Sequence, residues 1–366
     1  MSETITTTPP MSATLPSDTS GTMREALALA AHAVGLSDPN PRVGCVIVKG
    51  DKVVGEGWHE KAGGPHAEVV ALEKAGAAAA GATLYVNLEP CNHHGRTPPC
   101  ADAILKSKVK RVVAAMRDPN PEAKGGGDRL AAAGVAFEHG LMAEEARELN
   151  IGFVSRVRRG RPWVRMKIAA TLDGRTALAD GRSQWITGEE ARRDGHRWRA
   201  RACAILTGAG TVKADDPRLS VRDVQTPRQP LRVVVDSRLE MPKGARILTG
   251  DKILVFSASP GALPNAEVVS ITNANGKVEL PKMLEELARR GINELHVEAG
   301  SRLNGSLVRE GCVDEFLVYL NPSFLGDAAQ GMLDLPGFES LEKRLKLRLL
   351  SAERVGDDLR VVARPA

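Results

Sequence analysis

A histidine, a glutamate and two cysteines in the front half of the chain have the types and spacing of a catalytic zinc site. His66 and Glu68 stand two residues apart, and Cys91 and Cys100 follow them. One imidazole and two thiolates are three protein ligands, which leave the fourth tetrahedral position for water. Zinc lowers the pKa of such a water to about 7, and a nearby carboxylate can carry its proton. We therefore predict a Zn²⁺ site with His66, Cys91 and Cys100 as metal ligands and Glu68 as the catalytic residue.

The residues next to these four make the prediction more specific. A lone histidine is more often a surface or core residue, and lone cysteines are usually inert buried thiols. Here Pro65 precedes the histidine, and Glu89-Pro90 precedes the first cysteine. An H-x-E followed by Pro-Cys and a second Cys is typical of zinc deaminases that act on nucleobases. One departure is that the whole segment 92–99, instead of two residues, separates the two cysteines.

Strands and helices that alternate along the chain are predicted to position these side chains. Pro65 opens a helix whose first turn holds His66 and Glu68, and Cys100 opens another helix. A helix N-terminus lowers the pKa of a thiol, which favours the thiolate that a metal needs. Cys91 follows a strand over 83–87, just past its C-terminal end, where ligands bind in open α/β sheets.

Length and composition indicate two α/β domains that act on small molecules. The chain has 366 residues, of which 42% are hydrophobic, 26% charged and only 3% aromatic. So few aromatic residues argue against a base-stacking surface for nucleic acid, and the formal charge of +5 is modest. No apolar run reaches membrane-spanning length. Five cysteines, an odd number, do not suggest a disulfide framework, so we expect a cytoplasmic protein.

Composition also predicts where the domains begin and end. Residues 1–22 are rich in Ser, Thr and Pro and are predicted to be a disordered tail. The zinc domain is predicted at 23–158, a linker at 159–162 and a second domain at 163–366. Four arginines between positions 156 and 161 fit a helix end and a domain joint better than a nucleic-acid surface.

Three local patterns complete the prediction for the main chain. Thr22 and Glu25 form one predicted capping box, and Thr187 and Glu190 form another. The glycines at 125–127 are interpreted as a plain flexible loop, because no strand leads directly into them as a phosphate-binding loop requires.

The second half contains one weak candidate for phosphate binding. No G-x-G-x-x-G follows a strand there, so a standard dinucleotide fingerprint is absent. A predicted strand over 294–298 does lead to Gly300 and Ser301 at a helix start, where free N–H groups suit a phosphate. A simple strand–turn–helix joint explains the same residues.

Several segments resemble one family. The stretch from Glu89 to Cys100, with its insert between the cysteines, resembles the pyrimidine deaminase of riboflavin biosynthesis, as do 38–44 and 65–68. Segments 183–187, 211–219 and 297–300 look like the reductase half of the same bifunctional family. The resemblance implies a cytidine-deaminase-like three-layer domain followed by a dihydrofolate-reductase-like α/β domain.

The resemblance also implies two reactions. The first is zinc-dependent hydrolytic deamination of 2,5-diamino-6-(5-phosphoribosylamino)pyrimidin-4(3H)-one. The second is NADPH-dependent reduction of the ribosyl side chain, which gives 5-amino-6-(5-phosphoribitylamino)uracil. The residues that it implies for the cofactor are Ala169, Trp185, Thr211, Asp215, Ser237, Gly300, Ser301, Arg302, Leu303, Asn304, Gly305 and Ser306. Those that it implies for the substrate are Asn40, Lys167, Ser183, Arg199, Leu219, Arg222 and Glu298, with His59 a weaker candidate.

The cations among the substrate residues have a physical role of their own. Lys167, Arg199 and Arg222 suit a phosphate monoester, because arginine offers a planar fork and lysine a compact charge. Each alone is more often a solvated surface cation, and Trp185 fits core packing equally well. We also expect a homo-oligomer, either a dimer or a tetramer.

Two other functions remain open from the residues alone. One is a polynucleotide base deaminase whose second half binds nucleic acid through the arginine cluster. The other is a structural zinc protein, in which His93 or His94 would have to supply a fourth ligand.

Overall fold

Apolar runs that are too short for helices form the central strands of both halves of the chain. The computed structural model describes residues 19–95 and 97–366. Packing divides these residues into two units between Val154 and Ser155. Each unit has its own sheet and its own hydrophobic core. Within the described part of the chain, no helix combines the length and the apolar character needed to cross a membrane.

The first unit is built on a five-stranded mixed sheet. Its strands are β1 (Gly44–Lys49), β2 (Lys52–Trp58), β3 (Thr83–Leu88), β4 (Arg111–Met116) and β5 (Ala136–His139). Their order in the sheet is β2-β1-β3-β4-β5. β1 pairs antiparallel with β2 and β3, whereas β3, β4 and β5 are parallel. The carboxyl ends of the three parallel strands therefore open onto one edge, as the zinc prediction requires.

Helices pack on this sheet through small apolar side chains. They are α1 (Thr19–Ala31), α2 (Ala67–Ala75), α3 (Cys100–Ser107), α4 (Gly126–Ala132), α5 (Ala143–Leu149) and α6 (Ile151–Arg159), the last of which crosses the division between the units. Alanines of α1 and α2 are fully buried in the core beside the β1 and β3 side chains. A short 3₁₀ turn, Gly76–Ala79, follows α2.

The second unit contains a nine-stranded sheet and a separate two-stranded ribbon. Its strands are β6 (Trp163–Thr171), β7 (Arg175–Ala177), β8 (Ala204–Gly208), β9 (Leu231–Val235), β10 (Ile253–Ser257), β11 (Ala266–Ser270), β12 (Glu294–Val297), β13 (Glu315–Asn321), β14 (Gln330–Gly331), β15 (Leu347–Val355) and β16 (Asp358–Pro365). The large sheet has the order β11-β10-β9-β8-β12-β6-β13-β16-β15, and β14 pairs with β7. From β11 to β13 all neighbours are parallel, and the final hairpin of β15 and β16 is antiparallel.

Four helices belong to the second unit, and they connect its parallel strands. They are α7 (Glu189–Arg201), α8 (Ala209–Asp215), α9 (Leu280–Arg289) and α10 (Ser301–Arg309). Short 3₁₀ turns occur at Arg246–Leu248 and Leu341–Lys343. The main core lies where the α9 leucines meet β8, β12 and β6. The predicted α/β class is thus confirmed in both units.

Several local predictions were wrong. Residues 19–22, assigned to a disordered tail, lie in α1, and residues 1–18 fall outside the described residues. The predicted capping box at Thr22 is therefore inside a helix. Gly188 caps α7 in place of Thr187, without a side-chain cap hydrogen bond. Outside these predictions, α5 and α6 are separate helices, because Asn150 leaves the helical path and its side chain bonds both the N–H and the C=O of Arg42.

The arginine cluster near the unit division is engaged inside the second unit. Arg159 and Arg161 both pair with the buried carboxylate of Asp314. Arg156 donates to the side-chain oxygen of Asn293 at 2.7 Å. These contacts favour a structural role over a nucleic-acid surface. The predicted linker 159–162 stays a prediction; in the structure it joins the end of α6 to the start of β6.

Candidate active sites

The four predicted zinc-site residues come together at the carboxyl edge of the first sheet. His66 is the residue just before α2, and Glu68 lies in the first turn of that helix. Cys91 follows β3 after the short connection Glu89-Pro90, and Cys100 begins α3. Two helix starts and one strand end thus supply all four side chains.

The three proposed ligands have the separations of a tetrahedral zinc site. Their ligand atoms all lie within 4.8 Å of one another. His66 Nδ1 is 3.1 Å from Cys100 Sγ and 3.5 Å from Cys91 Sγ. Zinc–sulfur and zinc–nitrogen bonds in a tetrahedron place such atoms ~3.6 Å apart. His66 Nε2 lies 3.3 Å from Thr97 Oγ1, so a proton on Nε2 turns the lone pair of Nδ1 toward the sulfurs. The residues present fit the metal.

The electrostatics of the site suit zinc and a proton carrier. Hydrogen bonding with Cys100 and His66 lowers the pKa of Cys91 to about 4, which favours the thiolate that zinc binds. The hydrogen bond to Cys91 and burial raise the pKa of Cys100. Coordination to zinc deprotonates thiols outright, which removes the proton that these sulfurs share. Burial and the Cys91 charge raise the pKa of Glu68 to about 7, and this carboxyl is only 3% exposed.

The buried carboxylate of Glu89 holds together the loops behind the metal ligands, and we call this arrangement the Glu89 clasp. Glu89 accepts hydrogen bonds from the backbone N–H groups of Asp118, Gly125 and Gly127 at 3.0 to 3.3 Å. Arg117 also donates to it at 3.2 Å. The side chain of Glu89 is 1% exposed, so it holds these segments together away from water. Sequence reasoning noted Glu89 only as a neighbour of Cys91.

The glycines at 125–127 are part of this clasp, so their interpretation as a plain flexible loop was wrong. A Cβ on Gly126 would lie 1.8 Å from the carbonyl oxygen of Pro90, where no side chain fits. Gly126 opens α4, which therefore packs directly against the segment that carries Cys91. The absence of a preceding strand in the sequence argued against a phosphate-binding loop. The packing of Gly126 against Pro90 was not predictable, because the two residues are far apart in the sequence.

Asn40, the substrate residue predicted for this unit, reaches the zinc site through a histidine. Asn40 Nδ2 lies 3.0 Å from His59 Nε2, and His59 Nδ1 lies 2.9 Å from the carbonyl oxygen of Pro65. Since a carbonyl only accepts, Nδ1 of His59 carries the proton and Nε2 accepts from Asn40. The His59 ring packs edge-on against His66, with centroids 5.2 Å apart.

The site offers three protein ligands instead of the four that a closed structural zinc site needs. Among the described residues, the cluster of potential metal ligands comprises His66, Cys91 and Cys100. Neither His93 nor His94 is part of it. A fourth position therefore remains for a reacting molecule, which favours catalysis over a purely structural metal.

The second unit has a large cavity at the carboxyl ends of its parallel strands. Its volume is about 1790 Å³. Lys167 lies on β6, Gly208 ends β8, and Ser237 and Glu298 follow β9 and β12. In an open α/β sheet this edge is where ligands bind. The cavity is large enough for a dinucleotide beside a second molecule.

Ten of the twelve predicted cofactor residues line this cavity. They are Ala169, Trp185, Thr211, Asp215, Ser237, Gly300, Ser301, Arg302, Leu303 and Asn304. Gly300 precedes α10 and donates its N–H to Thr211 Oγ1 at 3.1 Å, so the helix start faces the cavity. Trp185 is 69% exposed and stacks on Arg192, which excludes the core-packing alternative. A helix N-terminus and a ring of cations suit the phosphates of a dinucleotide.

Gly305 and Ser306 lie outside the lining, beyond the first turn of α10; Gly305 is buried, and Ser306 is partly exposed. A Cβ on Gly305 would lie 2.1 Å from the carbonyl oxygen of Asp334. Ser306 instead donates its hydroxyl to the carbonyl of Arg302, one turn earlier. Gly305 is therefore required for close packing against the segment that contains Asp334.

All six predicted substrate residues of the second unit line the same cavity. They are Lys167, Ser183, Arg199, Leu219, Arg222 and Glu298. Arg199 binds Glu298 in a two-pronged ion pair, with one bond of 2.9 Å between Nη2 and Oε2. Burial raises the pKa of Glu298, but Arg199 outweighs it and holds that pKa well below the usual range. Burial lowers the pKa of Lys167, an effect that the Glu298 charge opposes.

Comparison with known proteins identifies the family. Residues 162–361 match the RibD C-terminal domain, and residues 16–116 match the cytidine and deoxycytidylate deaminase zinc-binding region. Riboflavin biosynthesis protein RibD of Escherichia coli (strain K12) is 45% identical over 354 residues, which cover 92% of this chain and 96% of that protein. The chain belongs to the RibD family. The RibD protein of Haemophilus influenzae is 43% identical over 94% of this chain and 96% of its own length.

Solved RibD structures have the same fold over nearly the whole chain. RibD of Acinetobacter baumannii has a TM-score of 0.88 at 41% identity, covering 95% of this chain and 98% of that one. A diaminohydroxyphosphoribosylaminopyrimidine deaminase/5-amino-6-(5-phosphoribosylamino)uracil reductase from Thermotoga maritima has a TM-score of 0.87 at 33% identity, with coverage of 95% and 98%. The predicted deaminase-like and reductase domains are thereby confirmed, as are Zn²⁺ and NADPH as the cofactors of the RibD family.

Sequence reasoning missed several residues of the RibD reductase cavity. Arg218, Arg246 and Lys277 line it together with the predicted cations, and His196 lies among them. Arg218 directly precedes Leu219, a predicted substrate residue, and this position in the sequence could have indicated that Arg218 belongs to the site. Arg246 and His196 have no such neighbour, because only the folded sheet brings them to the cavity.

Proposed function

We propose that the first unit hydrolyses the 2-amino group of 2,5-diamino-6-(5-phosphoribosylamino)pyrimidin-4(3H)-one. The bond between the ring carbon and the amino nitrogen breaks, the oxygen of water replaces the nitrogen, and ammonia leaves. The observation that carries this assignment is the buried Glu68 beside three convergent zinc ligands. The activity for which the Thermotoga maritima relative is named supports the choice of substrate.

In this proposal Glu68 moves the proton that hydrolysis requires. Zinc held by His66, Cys91 and Cys100 supplies the Lewis acidity that makes water a nucleophile near neutral pH. Glu68 accepts the proton of that water and then gives it to the departing amine. Burial raises the pKa of Glu68 toward neutral pH, which suits both steps, because a proton carrier works best when its pKa is close to the working pH.

We propose that the second unit then reduces the ribosyl group of the deaminated product to ribityl. Bound NADPH would supply a hydride to the first carbon of the sugar, while the bond from that carbon to the ring oxygen breaks and the oxygen takes a proton from solvent. The protein's part is to bring the two molecules together. The start of α10 and the lining cations suit the cofactor phosphates. Ser183, a predicted substrate residue, donates to Asp215, a predicted cofactor residue, at 3.2 Å. This contact supports binding of the substrate next to the cofactor.

Arg222 is the best candidate for the ligand of the substrate phosphate. The donors of Arg199 are engaged by Glu298 and by the carbonyl of Ser220. Among the described residues, the hydrogen bonds of the Arg222 guanidinium are two long contacts to Ser220, at 3.3 and 3.4 Å. Its planar fork therefore remains for a phosphate, which arginine binds with two parallel hydrogen bonds.

Both reactions can be followed in one experiment on the phosphorylated diaminopyrimidine. The purified protein is expected to release ammonia and then to oxidise NADPH, with one ammonia for each NADPH. Oxidation should follow ammonia release after a lag, because the second reaction uses the product of the first. NADPH oxidation without ammonia, or ammonia release only from polynucleotides, would contradict the proposal.

We further propose that the protein is a cytoplasmic homo-oligomer. The free thiols of all five cysteines support a reducing compartment. β15 is an edge strand with exposed leucines, including Leu347 and Leu349, the latter 60% exposed. An exposed apolar edge strand readily pairs with another chain, and a second copy offers the same edge.

Substitution of Leu349 by lysine is expected to lower the mass of the particle in solution. A charge on the apolar edge must be desolvated when two copies pair, so association weakens. Sedimentation velocity at micromolar concentration measures the result. Leu36→Lys, on an exposed leucine of the first unit, should leave the mass unchanged. Equal masses for wild type and Leu349→Lys would contradict this surface.

A further inference from the structure

The segment 219–223, which carries two of the predicted substrate residues, is held by side chains instead of a backbone ladder. Arg199 donates to the carbonyl of Ser220 at 3.0 Å. Gln229 accepts from the N–H of Val221 at 2.7 Å and donates to its carbonyl at 3.2 Å. These bonds fix Ser220 and Val221, the two residues between Leu219 and Arg222.

His196, on α7, completes this support at Arg222 itself. The backbone N–H of Arg222 donates to His196 Nδ1 at 3.0 Å. Because Nδ1 accepts, the ring proton is on Nε2, which lies 3.4 Å from a carboxylate oxygen of Asp223. The ring is 6% exposed, so it holds both residues from the protein side.

The backbone of this segment needs such support. Leu219 and Asp223 have φ angles of +50° and +61°, in the left-handed region that residues other than glycine rarely adopt. Each such residue costs about 1 kcal/mol unless the surrounding structure fixes it. Side-chain hydrogen bonds from α7 and from Gln229 provide that fixation.

We propose that His196 is a positioning residue for phosphate recognition in the reductase. By accepting a hydrogen bond from the backbone N–H of Arg222, it fixes the main chain from which that guanidinium reaches the phosphate monoester of the substrate. Burial and the charges of Arg199 and Arg222 lower the pKa of His196 to about 4, so Nδ1 stays an acceptor at neutral pH. The inference rests on the proposed function, because it needs Arg222 to meet the phosphate.

The cavity wall around Arg222 fits a phosphate monoester better than a neutral group. Arg218 and Arg246 line the same cavity. Their charges, together with burial and Arg199, lower the pKa of Arg222, so these cations are close enough to repel one another. A dianionic phosphate relieves this repulsion.

Two variants of His196 with side chains of nearly equal size and shape test the inference. His196→Asn keeps an oxygen acceptor near the position of Nδ1, whereas His196→Leu has nearly the same shape and no acceptor. NADPH oxidation is measured on the deaminated phosphoribosyl intermediate and on its dephosphorylated counterpart. For the phosphorylated substrate, His196→Leu should raise KM about tenfold, the equivalent of one lost hydrogen bond, with kcat nearly unchanged. His196→Asn should restore KM, and neither variant should alter kcat/KM for the dephosphorylated substrate.

The inference is overturned if His196→Leu affects both substrates equally, or if His196→Asn is as impaired as His196→Leu. Arg222→Met separates this failure from that of the proposed function. If Arg222→Met keeps the preference for the phosphorylated substrate, the role proposed for Arg222 is wrong. If it abolishes that preference while His196→Leu retains it, only the inference fails.

Unchanged KM for NADPH shows that a variant is folded. Should His196→Leu fail that control, Gln229→Met tests the same segment from its other side. Loss of both bonds to Val221 should raise KM for the phosphorylated substrate and leave the dephosphorylated substrate unaffected. An equal effect of Gln229→Met on both substrates also overturns the inference.

Discussion

The Glu68→Gln variant should bind zinc and lose deaminase activity by roughly 10²–10⁴-fold, the usual contribution of a positioned proton carrier. Glutamine has nearly the shape of glutamate but does not accept and return a proton. The three metal ligands are untouched, so zinc content by elemental analysis should equal that of wild type. NADPH oxidation on the deaminated intermediate should also be unchanged, since the second unit has its own cavity.

Glu73→Gln is the matched control, because Glu73 is an exposed glutamate of the same helix, α2. It should behave as wild type in all three measurements. Ammonia release at the wild-type rate by Glu68→Gln would remove Glu68 from the reaction. Loss of zinc in that variant would mean that the carboxylate holds the metal instead of carrying protons.

The second large effect is expected for Glu298→Gln, on the stability of the second unit. Glu298 is paired with Arg199 and lies near Lys167, so its loss leaves two cations without their carboxylate. Both side chains of this pair are 16% exposed, so breaking it on one side should lower the free energy of unfolding by roughly 2 kcal/mol, less than for a fully buried pair and more than for a surface pair. NADPH oxidation should fall as well, because both cations belong to the predicted substrate site.

Urea unfolding followed by tryptophan fluorescence measures this change selectively. Three of the four tryptophans, Trp163, Trp185 and Trp198, belong to the second unit. Glu267→Gln, which breaks the more exposed pair with Arg290, is the control and should change stability by ~0.5 kcal/mol. Similar stability losses in the two variants would show that the Glu298 pair is no stronger than a surface ion pair.

The zinc site was predictable from sequence because its chemistry depends on residue type at short spacing. His66 and Glu68 share one helix turn, and Cys91 and Cys100 each lie at an element boundary that proline marks. What surrounds them was not predictable in the same way. The clasp at Glu89 and the close packing of Gly126 depend on loops that meet only after the sheet has formed.

The second site depended on resemblance, for a physical reason. Its residues come from several strands and helices, and each alone is an ordinary arginine, serine or glycine. Only the parallel order of β9, β8, β12 and β6 brings them to one edge. Within α10, resemblance assigned Gly305 and Ser306 to the cofactor, whereas only the first turn of the helix lines the cavity.

The Glu89 clasp has a consequence for how the front unit acquires its metal. One carboxylate ties the Cys91 segment, the Asp118 loop and the start of α4 together through protein hydrogen bonds. These bonds fix the segment that carries Cys91, so they reduce the conformational entropy that this segment loses when zinc binds. Removal of zinc by a chelator should therefore abolish deaminase activity while the first unit stays folded. Added zinc should restore that activity without a refolding step.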